Sequence, residues 1–153
     1  MKVKIEMEDS LEEAEIIIRC NQLDNTILKL QNYILELHHS NQVLAFQRED
    51  TEYYVAIKDI FFFETEGRNL FAHTKDKLFK ADYKLYELEE LLPPNFIRIS
   101  KSTIANLDYI YSISRNLTAS SMVEFIGSKK TVFVSRGYYK ILIEKLNMRR
   151  LKL

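Results

Sequence analysis

Ile60-Phe61-Phe62-Phe63-Glu64, then Thr65-Glu66-Gly67-Arg68, then Asn69-Leu70-Phe71-Ala72-His73-Thr74 form the most telling pattern in the chain. Two runs dense in apolar and aromatic side chains flank four mostly polar residues, and Gly67 can take the positive φ that a tight connection requires. That pattern predicts a β-hairpin. The same grammar extends on both sides. Val43 to Arg48 and Glu52 to Ile57 flank the polar Glu49-Asp50-Thr51, and a short strand at Lys77 to Lys80 follows Thr74-Lys75-Asp76. Phe96 to Ile99 and Tyr109 to Ser114 read as extended, and Met122 to Ile126 and Thr131 to Val134 flank Gly127-Ser128-Lys129-Lys130. Helical spacing replaces alternation only at Leu85, Leu88, Leu91 and Leu92, stopped by Pro93-Pro94, and in the tail from Tyr138 to Leu153. The chain from residue 41 to 153 is therefore expected to be mainly β, built of short stacked antiparallel sheets with one or two short helices.

Residues 1–40 read differently. Lys2 to Met7 alternates, Glu15-Ile16-Ile17-Ile18-Arg19 is dense in β-branched residues, and Asp24 caps a segment with apolar residues at helical spacing from Ile27 to Leu37. A small β-β-α unit is expected there, with a helix over 25–39 and a boundary near Ser40-Asn41. Its apolar helix and strand edges suit an interaction or dimerisation element.

Composition excludes several classes. A chain of 153 residues, 46% hydrophobic, with three Gly and two Pro, is neither collagenous nor disordered and fits one domain with a small appendage. Its apolar runs fall far short of the ~20 residues that a spanning helix needs. One cysteine, Cys20, excludes an internal disulfide, and the N-terminus shows no hydrophobic signal region, so a cytoplasmic location is expected. The formal net charge is zero, yet the charge is graded. Residues 1–95 hold 11 basic and 19 acidic side chains, whereas residues 96–153 hold 11 basic against Asp108, Glu124 and Glu144. A polyanion is the partner this late positive charge would attract.

Catalytic and cofactor patterns do not appear. Gly67, Gly127 and Gly137 are too scattered for a phosphate-cradling loop, and three histidines with one cysteine give no zinc spacing. No enzyme activity, metal, cofactor or small-molecule substrate is expected. His38 and His39 read as a polar helix end, with metal binding by the pair the lesser alternative, and Cys20 as a small buried hydrophobe. What remains is Arg and Lys interleaved with hydroxyls and amides where strands end: Arg68, Lys101 within Ser100-Lys101-Ser102-Thr103, Asn106, Arg115-Asn116, Lys129-Lys130 and Ser135-Arg136. Such residues suit phosphate contacts and, at loop tips, base edges in a major groove.

Five ordered motifs carry a resemblance. They are Ile57-Lys58-Asp59-Ile60-Phe61-Phe62-Phe63-Glu64; Leu85 to Leu92 followed by Phe96-Ile97-Arg98-Ile99; Ser100-Lys101-Ser102-Thr103-Ile104-Ala105-Asn106-Leu107; Ile110 with Ile113; and Val134-Ser135-Arg136. From about Gln42 to Leu146 the chain resembles the LytTR DNA-binding domain of bacterial transcription regulators. The resemblance implies a transcription factor that reads double-stranded DNA through loops in successive major grooves at paired promoter repeats. Carried over, base contacts fall on Arg68 or Asn69, on Lys101 and on Arg136, with Ser100, Ser102, Asn106 and Ser135 in support or at phosphates; Lys129 and Lys130, read from their charge alone, are expected to add sequence-independent affinity. Asn106 equally resembles a residue that pins a turn. Where many members have His-Arg-Ser, this chain has Ser100-Lys101-Ser102, and Lys lacks the planar fork of Arg. Forty residues are too few for a receiver domain, so a stand-alone regulator is expected, a homodimer, with a membrane-protein regulator as a further partner by family analogy. The alternative is a protein-interaction or sequestration module that keeps the fold without operator binding.

Overall fold

The computed structural model describes residues 4–7, 9–12, 14–40, 42–116 and 120–149. After helix α1 (Asn25–Ser40) come strands β1 (Val43–Arg48), β2 (Thr51–Ala56), β3 (Ile60–Glu66), β4 (Asn69–Thr74) and β5 (Leu78–Ala81). Helix α2 (Leu85–Leu91) leads to β6 (Phe96–Arg98), β7 (Thr103–Asn106), β8 (Ile110–Ser114), β9 (Ser121–Phe125) and β10 (Thr131–Val134), and helix α3 (Arg136–Arg149) closes the series. The strands form a β1-β2 hairpin, a central five-stranded sheet in the order β5-β4-β3-β7-β6, and a three-stranded sheet in the order β10-β9-β8. Every pairing is antiparallel.

Strand β3 is the centre of this arrangement, and one irregularity in it lets four consecutive apolar residues all be buried. The ladder to β4 shifts register between Ile60 and Phe62, a β-bulge that resets which face each side chain takes. Ile60 and Phe63 consequently enter one core, while Phe61 and Phe62 enter the other. Burying one more phenyl ring contributes about 1.5–3 kcal/mol. This outweighs a lost ladder hydrogen bond, worth about 0.5–1.5 kcal/mol.

The two cores lie on opposite faces of the central sheet. On one face, Ile60, Phe63, Leu70, Ala72 and Ile104 meet Leu44 and Phe46 of β1 and Leu88 of α2. On the other, Phe61, Phe62 and Ala105 meet Val123, Phe125, Val132 and Val134 of the small sheet, and Leu142 anchors α3. Phe62 and Phe125 stack with 4.9 Å between centroids, as do Phe61 and Tyr109 at 4.2 Å. The aromatic side chains of these strands therefore form core.

Strand β7 was not announced by alternation. All four of its residues are buried, because it lies between β3 and β6 with a core on each face, and a strand covered on both sides loses the period of two. The N-terminal expectation also needs correction. Of the predicted strands, residues 4–7 and 15–19 belong to no ladder, and Ile16 and Ile17 are 65% and 61% exposed. β-Branched residues favour an extended backbone but form a strand only against a partner edge. The third element of that unit does form. The Asp24 carboxylate accepts from the Thr26 and Ile27 backbone N–H groups at 2.9 Å and starts α1, which then runs beside the 3-10 turn Ile57–Asp59. Cys20 is exposed rather than buried. No described helix is long and apolar enough to cross a membrane.

Candidate nucleic-acid interface

Three connections that lie far apart in sequence share one rim of the sheets. The β3–β4 turn holds Gly67 at φ +61° and presents Arg68 and Asn69, both exposed. Beside it, the Thr65 N–H donates to the Ser102 carbonyl at 2.8 Å, which fixes the β6–β7 loop against the end of β3. At the other end of that loop, the Ser135 N–H donates to the Ile99 carbonyl at 3.0 Å, which brings in the junction of β10 and α3. Arg68, Lys101 and Arg136, all exposed, therefore come from neighbouring loops. The pairing of Ser114 with Met122 and of Val134 with Ser121 puts the β8–β9 connection at this same end. There the Arg115 guanidinium lies 5.8 Å from the Tyr139 ring centroid, a cation–π contact that aims it along α3.

The β6–β7 loop is built to hold one shape. Ser100 Oγ accepts from the Ser102 N–H at 3.1 Å, a local turn characteristic of serine. Arg98 then clamps the loop from below. Its Nε donates to the Ser100 carbonyl at 3.1 Å, one terminal nitrogen to the Lys101 carbonyl at 2.6 Å, and the other to Glu89 of α2 at 2.8 Å. Lys101 is thus displayed on a backbone held at both neighbouring carbonyls. Arg98 was not among the residues singled out from sequence. The available signal was its position as the lone charge in Phe96-Ile97-Arg98-Ile99, since a cation inside an apolar run needs partners.

Two expectations are corrected by position. The turn carrying Lys129 and Lys130 joins the ends of β9 and β10 that lie opposite Ser121 and Val134, so it occupies the far rim. Lys130 is further committed, because its ammonium donates to the Thr74 carbonyl at 2.7 Å and the Lys77 carbonyl at 3.3 Å. Burial pushes the Lys130 ammonium pKa down, opposed by the Asp76 carboxylate. Neither lysine joins Arg68, Lys101 and Arg136. Asn106 is fully buried and cannot touch a ligand. Its Oδ1 accepts from the Asp108 N–H and from Asn95 Nδ2, both at 3.0 Å, and its Nδ2 donates to the Ile60 carbonyl at 2.9 Å. It pins the turn after β7 to β3, the second of the two roles that the sequence suggested.

Just behind the Gly67 turn the electrostatics change sign. Burial, and then the neighbouring Glu66 charge, push the Glu64 carboxyl pKa up. Burial and the Lys130 ammonium hold the His73 imidazole down at about 4, so it is neutral at pH 7.

Comparisons with known proteins converge on this scaffold. The family model described as LytTr DNA-binding domain matches residues 50–147. An uncharacterized HTH-type transcriptional regulator of Staphylococcus aureus (strain NCTC 8325 / PS 47) is 27% identical over 149 residues, spanning 97% of this chain and 99% of that protein. Its counterpart in strain MRSA252 is 26% identical over the same shares. A solved LytTr DNA-binding domain from Bacillus cereus has the same fold, with a TM-score of 0.63 at 23% identity over 70% of this chain and 97% of its own. The helix-turn-helix of the relatives' printed name has no counterpart among the described residues here: strands β6 to β10 separate α2 from α3.

Proposed function

The chain belongs to the LytTr DNA-binding domain family, whose members are DNA-binding regulators rather than enzymes, and from that premise we propose that it is a transcription regulator reading double-stranded DNA in a sequence-specific way. Arg68 or Asn69, Lys101 and Arg136 enter successive major grooves at paired repeats. Ser100, Ser102 and Ser135 shape the loops and meet phosphates, and Arg115 adds a further cation at the same rim. The observation that carries this reading is the pair of backbone hydrogen bonds, Thr65 to Ser102 and Ser135 to Ile99, that join the three loops. A guanidinium can grip guanine at two acceptors, whereas the Lys101 ammonium offers a point charge, so selectivity rests chiefly on the arginines.

Paired repeats imply two copies of the domain, and α1 supports a homodimer. Ile27, Leu30, Ile34 and Leu37 recur at intervals of three, four and three, which lines one side of the helix with Ile and Leu in the order that two-stranded coiled coils favour. Footprinting of the purified chain on the DNA upstream of its own gene tests both statements. The reading requires two protected segments about one helical turn apart, or a multiple of it. Retention of partner proteins without any protected segment would instead favour a sequestration module.

A further inference from the structure

Glu64, Glu66 and His73 gather on β3 and β4, where one ligand atom from each lies within 4.8 Å of the others. The ladder explains this convergence. Phe62 pairs with His73, Glu64 with Phe71 and Glu66 with Asn69. Glu64 and Glu66, two residues apart, share a face, and His73 sits diagonally across from Glu64. The imidazole lies flat on Phe62, with 4.1 Å between centroids and 15° between planes, so its direction is set by packing.

No described side chain or backbone group pairs with the two carboxylates, and one imidazole nitrogen is left over. Neither carboxylate forms an ion pair among the described residues, and His73 Nε2 is buried without a hydrogen-bond partner. The Lys130 ammonium acts on His73 electrostatically but donates to the carbonyls of Thr74 and Lys77, not to the carboxylates. Buried polar atoms without partners are uncommon, and two adjacent carboxylates repel. A cation would relieve both conditions. Two carboxylate oxygens and an imidazole nitrogen form a borderline donor set of the kind that binds Zn²⁺ with three protein ligands and water. Ligand atoms around such an ion stand roughly 3.4 Å apart for bonds near 2.1 Å. Glu66 is exposed and free to rotate inward to reach that spacing.

We propose that Glu64, Glu66 and His73 form a divalent transition-metal site, with Zn²⁺ the preferred ion and water completing its shell. Glu66 directly precedes Gly67 and Arg68, so an occupied site offsets negative charge beside the foremost loop of the rim. That consequence rests on the DNA-binding reading; the metal site does not.

The test is calorimetric titration of the full chain with ZnCl₂ in the absence of DNA. It uses a Cys20→Ser, His38→Gln, His39→Gln background, which removes the chain's only thiol and its other imidazoles. One Zn²⁺ per chain is expected. Glu66→Gln weakens uptake by at least about 10-fold, since a direct ligand matters no less than the outer-shell partners whose loss costs about 10–100-fold. His73→Phe keeps a ring against Phe62 and does the same. Failure of the background protein to take up Zn²⁺ saturably at one per chain would overturn the site, as would uptake that both substitutions leave unchanged. Because no DNA is present, neither result depends on whether the chain reads an operator.

Discussion

The Ser135 N–H and the Ile99 carbonyl meet at 3.0 Å, and through that single hydrogen bond the small sheet with its helix is registered against the loop that carries Lys101. Ile99 is fully buried and Ser135 precedes α3, so the contact links a core position to a surface loop. Arg136 follows immediately. Arg136 is thereby held in place relative to Lys101.

Replacing Arg136 with Ala should cost about 1–3 kcal/mol of operator affinity and relax preference at one base position. Replacing Lys129, on the far rim, should leave affinity and its salt dependence close to the parent. Mobility-shift titrations at two salt concentrations, on operator and on single-base variants, check both. Equal losses for the two substitutions would count against a single binding rim.

Arg98 should behave as a positioning residue. Arg98→Ala frees the Ser100 and Lys101 carbonyls and leaves Glu89 without its partner, at a cost of about 1–3 kcal/mol in urea denaturation. Discrimination between operator and random DNA should fall further than stability alone explains, because the Lys101 loop loses its shape. Arg98→Lys restores charge but not the fork, so it should recover little.

Asn106→Ala should destabilise the fold by about 2–4 kcal/mol, since it leaves the Ile60 carbonyl, the Asp108 N–H and the Asn95 amide without their partner in a buried site. Whatever fraction stays folded should bind DNA with the parent's salt dependence. A large drop in that slope at unchanged stability would restore Asn106 to the contact surface.

Part of this architecture is written in local residue patterns and part is not. The β3–β4 hairpin was legible because Gly67 marks the turn and the flanking runs are apolar; so were α1, through Asp24, and the β9–β10 hairpin, through Gly127. Strand β7 was not, because burial on both faces removes alternation. Ile16 to Ile18 misled for the opposite reason: their preference for extended backbone is genuine, but no strand edge among the described residues lies beside them. At the site, residue type distinguished Arg68, Lys101 and Arg136 no better than Lys129 and Lys130. Only the strand pairing decides which end of a hairpin faces which loop.

Substitution of Ile34 by Glu in α1 should shift the chain toward monomer in sedimentation equilibrium, because a carboxylate in an Ile and Leu seam would be desolvated without a partner. Affinity for an isolated half-site should stay unchanged, while affinity for paired repeats falls. Unaltered mass would exclude α1 from self-association.

Removal of divalent metal by chelation should weaken operator binding about 2–5-fold at low salt, the size of one partly screened charge interaction. Glu66→Gln, already lacking that charge, should respond less. A fluorescence anisotropy series with EDTA and with added Zn²⁺ reads both.

Arg68, Lys101 and Arg136 should act on one duplex from a shared rim. Backbone chemical-shift mapping of the ¹⁵N-labelled chain, titrated with a duplex from its own upstream region, tests this most directly. Perturbations should concentrate at Gly67 to Asn69, Ser100 to Ser102 and Ser135 to Gly137, and leave Gly127 to Lys130 in place. Perturbations confined to Gly127 to Lys130, or spread over opposite faces of the sheets, would rule out a shared binding rim.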